Sequence, residues 1–261
     1  MMERPTEATA FHTRLLKCSL EIEHCRAYWQ HVSGSADDET SRLAFAEYWF
    51  GARSLPRVGM LLANFRERFD RFAPALSVLH RWSSMDTGTR RLICHWHLQL
   101  ADRLYREFTG EFLVARVSSG RIDVTRDVVV RWIEQAAPKR WTTSTRIQFA
   151  RKLLFSAHEA GLVNRDRDPR ELQTPRVSDD ALAYILHLLR IIQFQGTLVS
   201  NPYLASVGIT PTELERRLRS IPSVRLRRQG DLFEFGWQYD GLVDWADMTV
   251  LHCGSRLRGT A

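Results

Sequence analysis

From residue 11 onward, apolar side chains return every three or four positions, the spacing of one face of an α-helix. Phe11, Leu15, Leu16, Leu20, Ile22, Cys25 and Tyr28 form the first such face, on a segment predicted to end before Ser33-Gly34-Ser35. A polar loop through Asp37-Asp38-Glu39 follows, and then a helix over 41–50. Ser54-Leu55-Pro56 starts a third helix, which turns Val58, Leu61, Leu62 and Phe65 inward and Arg66, Arg68 and Asp70 toward water. The same period predicts helices over 73–82, 86–105 and 107–117. No run before residue 160 alternates with the period of two that a half-buried strand requires. Residues 1–120 therefore read as a helical bundle, a scaffold.

The pattern restarts after Ser118-Ser119-Gly120, with helices expected over 124–135 and 143–160 and Pro138-Lys139-Arg140-Trp141 between them. Hydroxyl residues are available to cap the longer helix. Ile147, Ala150, Leu153, Leu154 and Ala157 make its core face, and Gly161 stops it. Leu162-Val163 and a polar loop with Arg165, Arg167 and Arg170 suggest a small wing, although no returning strand is evident. The most apolar stretch, 181–194, is interrupted by His187 and Arg190 and is shorter than the roughly 20 residues that span a bilayer. It reads as a buried helix.

Residues 201–237 carry the clearest local signals. Asn201 caps a helix with Pro202 at its first position, and Gly208 ends it. Thr210-Pro211-Thr212-Glu213 is a capping box opening a second helix, with Leu214, Leu218 and Ile221 on one face and Arg216, Arg217 and Arg219 on the others. Past Pro222 the period becomes two. Val224 and Leu226 alternate with Arg225 and Arg227, Gly230-Asp231 supplies a turn, and Phe233, Phe235 and Trp237 return. Two short helices and a basic hairpin are the layout of a winged helix-turn-helix. The chain is thus expected to be mainly α. A helical bundle (1–120) is followed by a helix-turn-helix-like unit (121–176) and a winged-helix-like unit (177–261) with a small C-terminal β-hairpin wing.

Charge sharpens this reading. The net charge of the 261 residues is +7, yet residues 138–228 hold 16 Lys or Arg against 8 Asp or Glu, and the rest is nearly neutral. A localised basic region is the footprint of a phosphate-backbone binder. Lysine occurs only at 17, 139 and 152. Codon bias accounts for the preference for arginine but not for the segregation of charge.

Catalytic readings have less to stand on. Cys18, Cys25, Cys94 and Cys253 include no CxxC pair, and no secretory signal precedes them, so a reducing cytoplasm is expected. Cys94, His95 and His97 are the densest group of metal-ligand types, but no second pair accompanies them. There is no phosphate-binding glycine loop, no GxSxG and no HExxH, so no cofactor and no enzyme activity are expected.

The chain resembles the BrxA family, a small non-enzymatic component of bacteriophage-exclusion (BREX) defence systems. The resemblance rests on Thr13-Arg14-Leu15-Leu16-Lys17-Cys18-Ser19-Leu20-Glu21-Ile22-Glu23 and on the helical run 92–112 with Arg106-Glu107-Phe108. It rests most on Trp141-Thr142-Thr143-Ser144-Thr145-Arg146, followed by Lys152-Leu153-Leu154 and Glu159-Ala160-Gly161-Leu162-Val163. It implies a cytoplasmic, mainly helical, DNA-binding protein that works beside a methyltransferase, an alkaline-phosphatase-like protein and an ATPase. Some members carry an inner-membrane label, for which this chain offers no segment.

The residues themselves nominate phosphate contacts from Arg140, Arg146, Arg151, Lys152, Arg225, Arg227 and Arg228, with Thr143 and Ser144 at a helix N-terminus. Thr212, Arg216 and Arg219, with Arg217 beside them, sit where a recognition helix reaches the major groove of double-stranded DNA. A solvated surface arginine is the alternative at each position. Two other readings stay open. One is an RNA stem as ligand. The other is a protein-interaction adaptor whose patch would comprise Trp237, Tyr239, Leu242 and Trp245 if these are exposed.

Overall fold

The computed structural model describes residues 4–32, 38–230 and 232–251. Asp37, Asp231 and Cys253, and the Ser33-Gly34-Ser35 stop, lie outside the described residues. The bundle comprises α1 (Arg14–Lys17), α2 (Ile22–His31), α3 (Asp38–Ala46), α4 (Leu55–Phe69), α5 (Ala73–Arg81) and α6 (Thr87–Ala101). It continues through α7 (Arg103–Glu107), a π-turn (Phe108–Phe112) and α8 (Leu113–Ser118). Next come β1 (Asp123–Val124), α9 (Arg126–Ala136), α10 (Thr143–Glu159) and β2 (Arg170–Glu171). The C-terminal part is α11 (Asp179–Ile191), α12 (Pro202–Ala205), α13 (Pro211–Leu218), the hairpin β3 (Val224–Gln229) and β4 (Leu232–Trp237), and α14 (Leu242–Met248).

Two long predicted helices are broken, each for a physical reason. Arg68 does not face water. It is 3 % exposed, and its guanidinium donates to the carbonyls of Cys18 (2.8 Å), Ser19 (2.6 Å) and Leu20 (3.0 Å). Carbonyls that serve Arg68 are turned away from the i+4 amides of a continuous helix, so α1 stops and the chain restarts α2 through Glu21 at φ 57°. The run over 86–105 is likewise divided at Asp102. Its extended backbone ends α6, and its carboxylate accepts from the Tyr105 amide (2.9 Å) to cap α7.

Every residue of α6 from Leu92 to Ala101 is buried, so its polar side chains must find protein partners. The Ser206 hydroxyl donates its one proton to the Tyr203 carbonyl (2.8 Å). His95 Nε2 must therefore donate to Ser206 Oγ (2.9 Å), which leaves Nδ1 to accept from Tyr105 (2.9 Å). His97 Nδ1 donates to the Arg68 carbonyl (2.8 Å), and Nε2 accepts from Tyr184 (2.7 Å). Burial pulls His95 down to about 3 and His97 to about 4.

The short strands build two similar successions. β1 pairs antiparallel with β2 (Asp123↔Glu171, Val124↔Arg170), and Val163 bridges Leu172. The order α8, β1, α9, α10, Val163, loop, β2 therefore does contain the returning strand that the sequence left unseen. In the second succession, α11, α12 and α13 lead into β3–β4, whose register runs from Val224↔Trp237 to Gln229↔Leu232. One connected core extends from Leu15 to Val250. Within it His187 of α11 lies against Trp237 (4.9 Å) and Trp245 (5.6 Å), with neither ring nitrogen hydrogen-bonded. Burial draws His187 down to about 4.

A Cβ on Gly110 in the π-turn would lie 2.4 Å from Pro202 Cβ and 2.6 Å from its carbonyl oxygen. Gly110→Ala is expected to destabilise the fold by about 1–3 kcal/mol or more in urea titration. Gly59→Ala, in α4 with nothing within 4 Å, is expected to be neutral or mildly stabilising. His187, neutral when folded but protonated below its ordinary 6.5 when unfolded, costs stability as pH falls from 6.5 toward 4. Glu159, pushed by burial up to about 7, acts in the opposite direction, so the variant must be compared with the parent. His187→Phe is expected to lessen the stability loss between these pH values by up to about 1.4 kcal/mol per pH unit. An unchanged pH slope would refute this.

Candidate nucleic-acid interface

The basic residues singled out from the sequence fall into two groups, one at the start of α10 and one on α13 with the hairpin. At α10, Thr142 is extended and its hydroxyl accepts from the Thr145 amide (3.3 Å), capping a 17-residue helix. Thr143 and Ser144 occupy the exposed first turn. Trp141 anchors this turn by packing on Phe149 (4.5 Å) and Phe11 (5.8 Å).

The cations here are unequally available. Arg146 pairs with Glu134 of α9 and donates to the Thr143 hydroxyl (3.0 Å). Arg140 donates to the Phe11 carbonyl (2.7 Å) and lies over the Phe11 and Trp141 rings (5.8 and 5.7 Å). Lys152 is half-buried, whereas Arg151 is exposed with no ion pair among the described residues.

On α13 the Thr210 hydroxyl accepts from the Glu213 amide (3.2 Å), which is the threonine half of the capping box expected from the sequence; the Glu213 carboxylate turns to Arg216 instead, and Thr212 is exposed beside it. Each arginine of this helix has a carboxylate. Arg216 forks onto Glu213 through Nε (2.9 Å) and Nη2 (2.6 Å), and this bond holds the Glu213 carboxyl below its ordinary range. Arg219 lies 3.6 Å from Glu215, and Arg217 pairs with Asp179 at the start of α11. The guanidinium surface expected of α13 is thus largely balanced.

The hairpin differs. Alternation along β3 puts Val224 and Leu226 on the core side and Arg225 and Arg227 on the solvent side, across from Gly236 and Glu234. Both arginines are exposed, with no ion pair among the described residues. They line a groove of about 390 Å³ with Glu234, Trp237 and Gln238. Arg228 points the other way, donates to the Gly230 carbonyl (2.9 Å) and covers Phe233 (5.5 Å).

Other nominated groups are spent on packing. Leu242 and Trp245 are buried, and Trp237 and Tyr239 are half-buried against the core, so they form no open aromatic patch. Cys94, His95 and His97 diverge toward different partners. Among the described residues no set of three His, Cys, Asp or Glu side chains is placed to hold a metal ion. No described helix is long and apolar enough to cross a membrane.

A model of the BrxA family matches residues 17–187. A solved structure, the crystal structure of an uncharacterized protein from Magnetospirillum magneticum, is similar with a TM-score of 0.57 at 15% identity. The match covers 70% of this chain and 98% of that one, a likeness of fold. No match was found among curated proteins.

Proposed function

The chain belongs to the BrxA family, and so is a component of BREX phage defence; from that premise we propose that it is a non-enzymatic, double-stranded DNA-binding component. Arg225 and Arg227 carry the reading. Two exposed guanidinium groups with no ion pair among the described residues, on the solvent face of a hairpin that follows a capped helix, are suited to a duplex backbone.

The element order supports the reading. Helix, strand, helix, helix, strand, loop and strand is the succession of a winged helix, and residues 113–172 follow it. Residues 179–237 supply the helices and the two wing strands of that succession, with no first strand joining β3 and β4 among the described residues. The two units, 121–176 and 177–261, would contact DNA from the bundle 1–120. In the second, Arg225 and Arg227 position the phosphates while Thr212, Arg216, Arg217 and Arg219 face the groove, and Arg228 adds charge from the other face of the hairpin. In the first, Arg140, Arg146, Arg151 and Lys152 contribute charge. Thr143 and Ser144 offer hydroxyls and the free amides of a helix N-terminus, a natural phosphate site. A BREX methyltransferase, phosphatase-like protein or ATPase would meet the protein in the cytoplasm on this bound DNA.

The pairing on α13 has a consequence for affinity. Arg216 must exchange Glu213 for DNA, and an exposed pair of this kind is weak enough to exchange. In fluorescence anisotropy of a labelled duplex across a salt series, Arg225→Glu with Arg227→Glu is expected to weaken binding about tenfold or more. The same double variant should reduce the salt slope by about two, near one per phosphate contact. Absence of parent binding at low salt, or a double variant that binds like the parent, would sink the proposal. A duplex RNA competitor that displaces the DNA at equal concentration would redirect it to RNA. Glu213→Gln, which keeps the capping geometry but frees Arg216, is expected to tighten duplex binding a few-fold in the same assay.

A further inference from the structure

We infer that the cleft between α8, the segment 172–174 and the turn from α12 to α13 is a binding site for a neutral, largely apolar small molecule. The cleft encloses about 400 Å³, the size of an ordinary small-molecule site. Leu113 and Val117 of α8 form one wall, Leu162 and Leu172 another, and Ala205 and Ile209 the third. Both successions of elements therefore contribute, and an occupant would touch both.

The lining decides the chemical class. No Asp, Glu, Lys, Arg or His lines this cleft, although charged residues make up 26% of the chain. An ion entering it would lose its hydration with no opposite charge in return. The buried polar groups of the floor are already committed. The Thr109 hydroxyl donates to the Tyr105 carbonyl (2.8 Å) and accepts from Gln99 (2.9 Å), and that of Ser206 donates to the Tyr203 carbonyl (2.8 Å). Asn201 Oδ1 accepts from the Leu204 amide (2.9 Å), and Nδ2 donates to the Thr197 carbonyl (2.9 Å). The floor is left with apolar contact to offer. Ser118, Gln173, Thr174 and Ser200 are exposed at the rim and supply uncharged hydrogen-bonding groups.

A Cβ on Gly208, which sits at φ +76°, would lie 2.6 Å from the Thr174 methyl carbon, so the turn from α12 to α13 and the segment 172–174 meet closely beside the cleft. Val117, 56% exposed, extends its apolar surface to the mouth.

The test is a titration of the full chain with N-phenyl-1-naphthylamine, a neutral aromatic that brightens in apolar surroundings. The anionic 1-anilinonaphthalene-8-sulfonate serves as its charged counterpart. Saturable binding of one neutral probe per chain is expected, with affinity reduced about tenfold or more by Ala205→Trp, which fills the cleft. Val117→Trp at the exposed mouth and Thr174→Asp at the exposed rim are expected to weaken it as well without burdening the core, and thermal melting verifies each fold. The sulfonate should bind more weakly than the neutral probe. Failure of the probe to bind, equal binding by the folded variants, or equal affinity for the sulfonate overturns the assignment. No nucleic acid is present, so the result stands apart from the duplex-binding test.

Discussion

A helical stretch enclosed on every side has no water for its polar groups, and residues 92–101 of α6 make this constraint the organising feature of the protein. His95 reaches Ser206 and Tyr105, His97 reaches Arg68 and Tyr184, and Gln99 reaches Thr109 (2.9 Å). Trp96 adds a bond from its indole to the Tyr203 carbonyl (3.0 Å). One helix thereby fixes the positions of α4, α7, α11 and α12 together. The N-terminal segment reinforces this from outside. The buried Glu7 carboxylate accepts from Tyr203 and from the Gln195 amide (3.0 Å) and lies 3.5 Å from Arg106. A carboxylate this deeply placed is tolerable because each of its neighbours offers a proton or a positive charge.

On that rigid base the basic surface divides into two kinds. The arginines of α13 and Arg146 hold carboxylates, which orients them and cancels much of their field at a distance. Arg151, Arg225 and Arg227 are exposed and hold none among the described residues, so their charge reaches further into solvent. A count of charges along the chain treats the two kinds alike. The geometry separates groups that attract a polyanion from groups that meet it only after exchanging a partner.

What was legible in the sequence was local. Asn201 and Thr210 cap the helices they precede, as read from the sequence, because capping involves residues three positions apart. The β3–β4 hairpin was legible because six residues suffice to display a period of two. Arg68 was misread as facing water because the carbonyls that receive it lie nearly fifty positions away. The pairing of Arg217 with Asp179 was hidden for the same reason. The strands β1 and β2 are two residues each, too short for any period, and only their pairing reveals them. In α6 His95 and Gln99 share one face while His97 lies nearly opposite, and polar residues on two faces conceal that the stretch 92–101 is buried all round.

The return of the chain after the hairpin gives the wing a mechanical character. Beyond β4, α14 packs on α5 and α11, with Trp245 edge-on to Trp82 (6.0 Å) and Arg81 bonded to Asp247 (2.5 Å). The hairpin is thus clamped at both roots, like a beam rather than a hinged flap. A load applied at its tip is delivered into the interior of the bundle, and little chain entropy remains for the hairpin to surrender when something grips it.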